Sequence, residues 1–284
     1  MDLLLNFAKI IPLHVRLKLF YFLKFKRLLS LKNPKLLSEK IQKRKLNIIG
    51  VYSELADKIK VKQYVSKEIG AKHVIENIGI YRDINDVDFA QLPKSFVIKT
   101  NFGSGSAHIE IVRDKKNIVW DDIVKKFEKA MASEGYIGSI LGETQYDSIE
   151  RQLLIEKYMF NQVGDVIDLP DYKFHLFNGG EDGFLQVDHS RFTAHKRNIY
   201  SLDFKLLDAE LMYPSDKFDL PDENECRELL NCAKALAKPF DYVRVDLYYV
   251  DKKIYFGEMT FTPGSGFESF SPTKYDAVFG AMWK

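Results

Sequence analysis

Two stretches, Val243-Arg244-Val245-Asp246-Leu247-Tyr248 and Phe256-Gly257-Glu258-Met259-Thr260, set the architecture of this chain. Apolar and polar residues alternate in both, and this pattern predicts two adjacent β-strands. Between them, Asp251-Lys252-Lys253 predicts a tight turn, so the strands form a hairpin. Each strand carries one acid among apolar residues, and a buried acid costs free energy unless it is paired or binds a cation. A surface hairpin with solvated acids is the alternative interpretation.

The length of the turn determines which side chains share a face of this hairpin. A two-residue turn would place Asp246 opposite Gly257, with Glu258 on the other face. A three-residue turn places Asp246 opposite Glu258 and Arg244 opposite Thr260, on one face. We predict the three-residue turn and, because directly opposed carboxylates repel each other, a divalent cation between them. Such oxygen ligands suit Mg²⁺, which binds through one or two carboxylates plus substrate phosphates.

The composition is that of an ordinary globular protein. The chain has 284 residues, of which 46% are hydrophobic and 29% charged, and this length allows two or three subdomains. Its net charge of +2 provides no global field for nucleic acid. The two cysteines, Cys226 and Cys232, match no zinc or redox spacing. We therefore predict free thiols in a reducing, cytoplasmic compartment.

The N-terminal stretch, residues 2–32, is apolar and strongly basic. It contains seven basic residues but only one acid, Asp2. This composition is typical of a helix that lies on an anionic membrane, so peripheral contact with the inner membrane face is one hypothesis. A helical arm packed on the body of the protein is the other, and it is favoured because membrane contact needs an exposed apolar face. No apolar run reaches the ~20 residues of a membrane span, and no small-residue cleavage site indicates a secretory signal.

Predicted helices and strands alternate without a β-α-β rhythm, which favours an α+β fold. The predicted helices are residues 34–46, a helix capped by Ser53 and ending at Gly70, Asp121–Ala132, Asp222–Ala237 and a short one from Pro272. The predicted strands, besides the hairpin, are Phe96–Thr100, His108–Val112, Leu153–Phe160, Tyr172–Phe177 and Phe184–Asp188.

A glycine-serine loop follows the strand that ends in Lys99-Thr100. The loop is Gly103-Ser104-Gly105-Ser106. Glycine lets backbone N–H groups approach an anion, and the lysine adds positive charge. Because the next predicted element is a strand, the loop is neither a Walker A motif nor a dinucleotide fingerprint. It indicates a lid over nucleotide phosphates, with an ordinary hairpin turn as the alternative.

The ordered set of motifs resembles the ATP-grasp superfamily and, more narrowly, the TupA-like ATP-grasp family of teichuronopeptide and surface polysaccharide biosynthesis. The resemblance covers about residues 30–284. It rests on Asn33-Pro34 through Glu39-Lys40, Ala56-Asp57-Lys58, Leu92-Pro93-Lys94-Ser95-Phe96, Ile155-Glu156-Lys157-Tyr158, Arg244-Val245-Asp246, and Phe256-Gly257-Glu258-Met259-Thr260 with Pro263 and Gly264. It implies an N-terminal helical segment (1–50) before an ATP-grasp domain (51–284), with a lid subdomain at about 96–156 and a C-terminal antiparallel sheet.

The resemblance also implies roles for individual residues. Lys58, Lys99 and the loop from Gly103 to Ser106 would bind the phosphates of ATP, with Gly105 among the loop residues. Glu156 would accept from the adenine amino group, and the backbones of Lys157 and Tyr158 would contact the rest of its edge. Asp246 and Glu258 would hold Mg²⁺. Many superfamily members carry Asn where this chain has Thr260, which leaves the part of Thr260 in metal binding open.

The resemblance implies an ATP- and Mg²⁺-dependent carboxylate–amine ligase that forms an amide through an acyl phosphate. Arg244 would stabilise the transferring phosphoryl group, and Lys173 would reach nucleotide or acyl phosphate unless it is a surface lysine. Arg191 is the best candidate for binding a carboxylate such as a uronic acid, whereas the nearby His195 and Arg197 are expected on a solvated loop face.

Three other functions stay open. A kinase of this superfamily would stop at phosphoryl transfer. A glycosyltransferase would need a motif such as Asp86-Val87-Asp88, which we interpret as an exposed acidic turn. A membrane-associated scaffold would have no use for Lys99, Asp246 and Glu258. The sequence predicts neither the acid, the amine nor the oligomeric state.

Overall fold

The computed structural model describes residues 10–103, 105–132, 137–160, 169–191 and 193–284. In chain order, the helices in these ranges are α1 (Leu13–Phe25), α2 (Leu37–Arg44), α3 (Gly50–Ala56), α4 (Val61–Glu68), α5 (Trp120–Ala132), α6 (Ile137–Ile140), α7 (Glu223–Ala237) and α8 (Lys274–Met282). The strands are β1 (Asn77–Tyr81), β2 (Phe96–Thr100), β3 (Ile109–Val112), β4 (Leu153–Lys157), β5 (Asp171–Phe177), β6 (Asp182–His189), β7 (Lys196–Ser201), β8 (Glu210–Leu211), β9 (Tyr242–Val250), β10 (Lys253–Thr260) and β11 (Phe270–Ser271). The α+β class predicted from the sequence is confirmed.

The first sheet has the strand order β1-β4-β2-β3, and its neighbouring strands are antiparallel. Phe96 and Ile98 of β2 pack against Ile123 and Phe127 of α5, so the amphipathic helix covers one face of the sheet. The predicted connection of β2 to β3 by the glycine loop is confirmed, since these strands pair with each other. The sheet also includes β1, which precedes the predicted lid boundary at 96, and that boundary stays a prediction.

The second sheet has the order β10-β9-β5-β6-β7 and is antiparallel throughout. Side chains alternate between its two faces. On β5, Tyr172, Phe174 and Leu176 face the core that α7 completes, while the intervening Lys173 and His175 are buried polar residues. Lys173 lines a cavity on the polar face of the sheet. Its position on that face follows from the alternation of side chains along β5.

Helices cover the second sheet on both sides. Helix α7 begins with a capping box, in which the Asp222 side chain accepts from Glu225 N at 2.9 Å. Leu229 and Leu236 of α7 are fully buried, and burial of each contributes about 1.5–3 kcal/mol. On the other side, α2 and α8 form a second core with Phe177 and Phe184.

The helix predicted from Ser53 to Gly70 is wrong, because the structure has two short helices with a break at Asp57. The Asp57 carboxylate accepts from Ile59 N at 2.9 Å and from Asn101 Nδ2 at 3.1 Å. An Asp side chain that bonds to nearby backbone N–H groups competes with helix formation. The adjacent Lys58 N donates to Asn101 O at 3.1 Å. The break therefore lets the backbone of Lys58 bond to Asn101, the residue that follows β2.

The three-residue turn predicted for the closing hairpin is also wrong, although its pairing is confirmed. The turn consists of Asp251 and Lys252, with φ of 49° and 60°, the left-handed conformation of tight two-residue hairpins. A β-bulge then shifts the register between Phe256 and Glu258, so Glu258 still faces Asp246 and Thr260 still faces Arg244. A Cβ on Gly257 would lie 3.1 Å from Asp246 O, so glycine suits this crowded bulge.

The N-terminal region packs on the body through one face of α1. Leu17 and Tyr21 are fully buried, and Arg16 Nη1 donates to Ile140 O at 2.9 Å. Residues 2–9 of the basic stretch lie outside the described residues. Within the described ranges, no helix combines the length and the apolar character needed to cross a membrane.

Candidate active site

A cavity of about 370 Å³ lies between the two sheets, within the range of about 300–1,000 Å³ typical of small-molecule sites. Its walls differ in chemistry. Val97 of β2, Ile109 and Ile111 of β3, and Met159 provide an apolar region. The remaining wall is charged, with six basic side chains and four carboxylates, so the cavity has a positive excess: Lys58, Lys99, Arg113, Lys157, Lys173, Arg191, Glu156, Asp171, Asp246 and Glu258.

Asp246 and Glu258 lie opposite each other in the hairpin, and both line the cavity. Arg244 binds the pair: its Nε lies 2.7 Å from Asp246 Oδ1, and its Nη2 lies 2.8 Å from both Asp246 Oδ2 and Glu258 Oε1. Burial raises the pKa of Asp246 against the opposing effect of Arg244 and Lys173. Burial also opposes ionisation of Glu258, but Arg244 and Lys58 outweigh it and lower its pKa. Glu258 is therefore the more firmly ionised member.

Thr260 completes this group behind the cavity wall. Its Oγ1 accepts from Arg244 Nη2 at 3.1 Å. The wall includes Asp246 and Glu258 but neither Arg244 nor Thr260. In this arrangement Arg244 positions the two carboxylates, and its predicted contact with a phosphoryl group stays a prediction.

Lys173 joins the hairpin to β5. Its Nζ lies 2.6 Å from Asp171 Oδ2 and 2.5 Å from Asp246 Oδ2. Burial disfavours the ammonium, but the two carboxylates outweigh it and raise the pKa of Lys173. Arg191 Nη1 binds the same Asp171 oxygen at 3.0 Å, and its side chain is 38% exposed. Lys173 is thus a buried cavity residue rather than a surface lysine, and Arg191 lies in the same wall.

Lys99 and Glu156 pair at the first sheet. Lys99 Nζ lies 2.6 Å from Glu156 Oε2, and Lys62 Nζ lies 2.5 Å from Glu156 Oε1. Burial alone would raise the pKa of Glu156, but the two ammonium groups lower it. The carboxylate of Glu156 thus holds two lysines, while its predicted contact with an adenine amino group stays a prediction.

Lys58 and the glycine loop close the charged end of the cavity. Lys58 Nζ donates to Gly103 O at 2.6 Å, and burial lowers the pKa of Lys58. Gly105 has φ of +80°, a left-handed conformation in which glycine is unstrained. Gly103, Gly105 and Ser106 line the cavity, whereas Ser104 lies outside the described residues.

The segment after β4 contributes Lys157 and Tyr158 to the wall. The N–H of Lys157 donates to Glu76 O at 3.1 Å, so it is not available to a ligand. The Tyr158 ring stacks on Phe160 with centroids 5.7 Å apart. The backbone of Tyr158 therefore stays the better candidate for contacting an adenine edge.

The expectation of a solvated loop is wrong for Arg197, whereas His195 lies in the loop before β7 with its side chain 22% exposed. Arg197 is on β7 and only 6% exposed, and its Nε lies 2.5 Å from Asp188 Oδ1. His195 stacks on Tyr213 with centroids 3.7 Å apart. Pairing of β6 with β7 places Arg197 opposite Asp188 and buries it.

The Asp86-Val87-Asp88 motif is structural. Asp88 accepts from Ala90 N at 3.0 Å and caps a short 3₁₀ turn, and both acids are exposed. Neither acid lines the cavity. This arrangement agrees with the interpretation of the motif as an exposed acidic turn.

Two site residues, Asp171 and Lys62, were missed by sequence reasoning. Asp171 binds Lys173 and Arg191 through Oδ2, while its buried Oδ1 has no hydrogen-bond partner within the described chain. The period of two between Asp171 and Lys173 was a usable signal, because it places both on one face of a strand. Lys62 meets Glu156 through a contact between distant segments, and no local pattern indicates it.

The donor set at the hairpin fits Mg²⁺. Asp246 and Glu258 offer hard carboxylate oxygens that face the same cavity. Across the described ranges, no group of three or more His, Cys, Asp or Glu side chains forms a complete metal cage. Mg²⁺ commonly needs only one or two carboxylates when phosphates supply further ligands, so this pair is sufficient.

Several solved structures match part of the chain at low sequence identity. D-alanine–D-alanine ligase from Bacillus anthracis complexed with ATP matches at 20% identity and a TM-score of 0.40, covering 74% of this chain and 55% of that one. D-alanine–D-alanine ligase from Helicobacter pylori matches at 13% identity and a TM-score of 0.44, covering 81% and 60%. The ATP-grasp ligase PsnB with Mg and ADP matches at 11% identity and a TM-score of 0.40, covering 74% and 51%. The chain thus spans 51–60% of the length of these three structures.

No curated protein matches the chain. A family model, described as TupA-like ATPgrasp, matches residues 39–284. This range includes both sheets and every described residue that lines the cavity. The chain therefore belongs to the TupA-like ATP-grasp family.

Proposed function

We propose that this protein is an ATP- and Mg²⁺-dependent carboxylate–amine ligase that forms an amide through an acyl phosphate. The observation that carries the proposal is the opposed pair Asp246 and Glu258 at the end of a cavity that also contains Lys58, Lys99 and Lys173. Two acids beside three ammonium groups suit a metal-bound polyphosphate.

The nucleotide would lie along the cavity from its apolar to its charged region. Val97, Ile109 and Ile111 would contact the base, with Glu156 and the Tyr158 backbone at its edge. Lys58, Lys99 and the loop of residues 103–106 would bind the phosphates. The excess of basic side chains in the wall supports this placement, because a magnesium-bound nucleoside triphosphate is anionic.

Asp246 and Glu258 would hold Mg²⁺, with Thr260 adjacent to them. When bound, Mg²⁺ would offset charge on the phosphate oxygens. Arg244 fixes both carboxylates, so it would keep them aimed at the cavity.

In the first step, an oxygen of the substrate carboxylate would attack the γ-phosphorus and ADP would leave, which gives an acyl phosphate. In the second, the neutral amine nitrogen would attack the acyl carbon, the bond from that carbon to the phosphate oxygen would break, and the nitrogen proton would pass to the departing phosphate. Arg191, which is part-exposed in the wall, would bind a substrate carboxylate, since arginine suits bidentate recognition. Asp171 Oδ1, which has no donor among the described residues, would accept a hydrogen bond from the amine.

A ligase fits the hairpin better than a kinase. A hydroxyl acceptor generally needs a base to take its proton. Asp246 would be occupied by Mg²⁺, and the lowered pKa of Glu258 makes it a weak base. A carboxylate nucleophile is already ionised near neutral pH and needs no base.

We further propose that the reaction belongs to bacterial capsule or surface polysaccharide biosynthesis, with a uronic acid or another sugar-linked carboxylate as the acid. This proposal rests on the family, and it places the enzyme in the cytoplasm, where ATP and glycan precursors meet.

The test is a screen of the purified protein for ADP release with Mg²⁺, ATP, and paired panels of uronic acids and amino acids. We expect release that requires both an acid and an amine, with an amide product in mass spectra. Release that requires only a hydroxyl acceptor and yields a stable phosphorylated product would overturn the proposal in favour of a kinase.

A further inference from the structure

Helix α1 exposes a large apolar surface on the side away from the protein body. Within the described part of the chain, seven of the eighteen exposed large hydrophobic side chains fall in residues 10–28. Exposed apolar residues are normally scattered singly over a soluble protein, and contiguous patches mark interaction sites. We call the four of them that lie on α1 the docking face: Val15, Leu19, Phe22 and Leu23.

The helical period explains the docking face. Val15, Leu19, Phe22 and Leu23 recur at spacings of three and four, so they form one stripe along α1. The opposite stripe contains Leu17 and Tyr21, which are fully buried. Helix α1 therefore buries one apolar stripe against the body and exposes the other.

Polar contacts hold α1 in this orientation. Tyr21 Oη lies 2.8 Å from Ser38 Oγ, and Arg27 Nη2 lies 2.5 Å from Asp276 Oδ2. Arg16 Nη1 donates to Ile140 O. These contacts reach α2, α8 and α6, so rotating the helix to bury the docking face would break them.

The charge around the docking face specifies what it binds. Residues 10–32 contain six basic residues and no acid. Arg16 and Arg27 bind the body, whereas the four lysines are exposed: Lys18, Lys24, Lys26 and Lys32. Apolar side chains among exposed lysines match the apolar and anionic layers of a membrane surface. A second copy of the chain would instead bring like charges together, which disfavours association.

The length of α1 excludes a spanning arrangement. Its 13 residues extend about 20 Å at 1.5 Å per residue, less than the ~30 Å of a bilayer core. The helix can therefore only lie in the plane of the interface.

From these observations we propose that the docking face binds peripherally to a bilayer rich in anionic lipid, with its apolar residues in the headgroup boundary and the four lysines on lipid phosphates. This contact is independent of the ligase reaction. It would concentrate the enzyme at a membrane whether or not its acid substrate is carried by a lipid.

The test is co-sedimentation of the full chain with vesicles of phosphatidylcholine alone or mixed with phosphatidylglycerol. We expect binding only to the anionic vesicles, weakened by salt. Leu19→Gln/Phe22→Gln/Leu23→Gln should abolish it, and each of Lys18→Gln and Lys24→Gln should weaken it about fivefold. A matched control, Val119→Gln/Leu206→Gln, changes residues that are 62% and 56% exposed elsewhere and should bind normally.

A reporter variant keeps the test independent of the folding of the triple variant. The tryptophan fluorescence of Phe22→Trp should shift to the blue when anionic vesicles are added and should not shift with neutral vesicles. Absence of vesicle binding by the full chain, or equal binding by the triple variant, would overturn the proposal. Self-association without vesicles that the triple variant abolishes would assign the docking face to a second copy instead. ADP release in solution should be unchanged by the triple variant, which separates this test from that of the ligase.

Discussion

Replacing Lys173 with Met removes the cation that lies between two buried carboxylates. Its Nζ is 2.6 Å from Asp171 and 2.5 Å from Asp246, and the three side chains are 10%, 4% and 2% exposed. Breaking a buried ion pair leaves an uncompensated charge and costs about 3–5 kcal/mol. Arg244 still binds Asp246 after the change, so we expect the lower end, about 3 kcal/mol. Met keeps the aliphatic length, which limits any loss of packing.

The assay is urea unfolding followed by circular dichroism, with Arg227→Met as the matched control. Arg227 forms an ion pair with Glu223 at the same 2.5 Å, but the two side chains are 65% and 71% exposed. An exposed pair of this kind contributes little to stability, because water and salt screen it. If Lys173→Met lowered the unfolding free energy no more than Arg227→Met does, the idea that Lys173 neutralises a buried acidic pair would be refuted.

Three further substitutions separate the parts of the site. Glu258→Gln should fold normally, because an amide oxygen still accepts from Arg244, yet abolish Mg²⁺-dependent ADP release; near-normal release would remove Glu258 from the metal site. Lys99→Ala should weaken ATP binding, measured by calorimetry, about 10-fold or more, as expected for loss of a charged hydrogen bond. The control is Lys94→Ala, which changes a side chain that is 76% exposed and should bind ATP normally. Equal affinities of the two variants would make the glycine loop an ordinary turn. Gly257→Ala adds a Cβ 3.1 Å from Asp246 O, so it should lower the unfolding free energy by about 1 kcal/mol and remove most of the turnover. The control Gly50→Ala, whose Cβ would have nothing within 4 Å, should change neither stability nor turnover. Full activity of Gly257→Ala would show that the bulge tolerates a side chain.

The fold class and the opposed carboxylates could be predicted because both follow from local patterns. Alternation with a period of two placed Asp246 and Arg244 on one strand face, and the register that opposes Asp246 to Glu258 gathered an arginine, two carboxylates and a hydroxyl on that face. Repulsion between the two acids then indicated a cation between them. The structure reaches the same pairing by another route, a two-residue turn followed by a bulge at Gly257. The shorter turn and the bulge shift the register in opposite directions, so the same side chains share a face as with a three-residue turn. The pattern of apolar and polar residues alone therefore cannot distinguish the two arrangements.

Features that depend on contacts between distant segments could not be predicted. The helix break at Asp57 requires Asn101, 44 residues away, and without that contact a continuous helix is the natural prediction. Burial of Arg197 requires the pairing of β6 with β7, which puts Asp188 within reach. Lys62 belongs to the site only through its contact with Glu156, which lies 94 residues away in the sequence.

The most direct test of the central claim uses an acid substrate labelled with ¹⁸O in its carboxylate. If the carboxylate attacks the γ-phosphorus and the amine then displaces phosphate, one labelled oxygen must leave with the phosphate. We predict that the released phosphate carries one ¹⁸O and that the amide retains the other. Unlabelled phosphate, or a stable phosphorylated product formed without amine, would contradict the ligase mechanism.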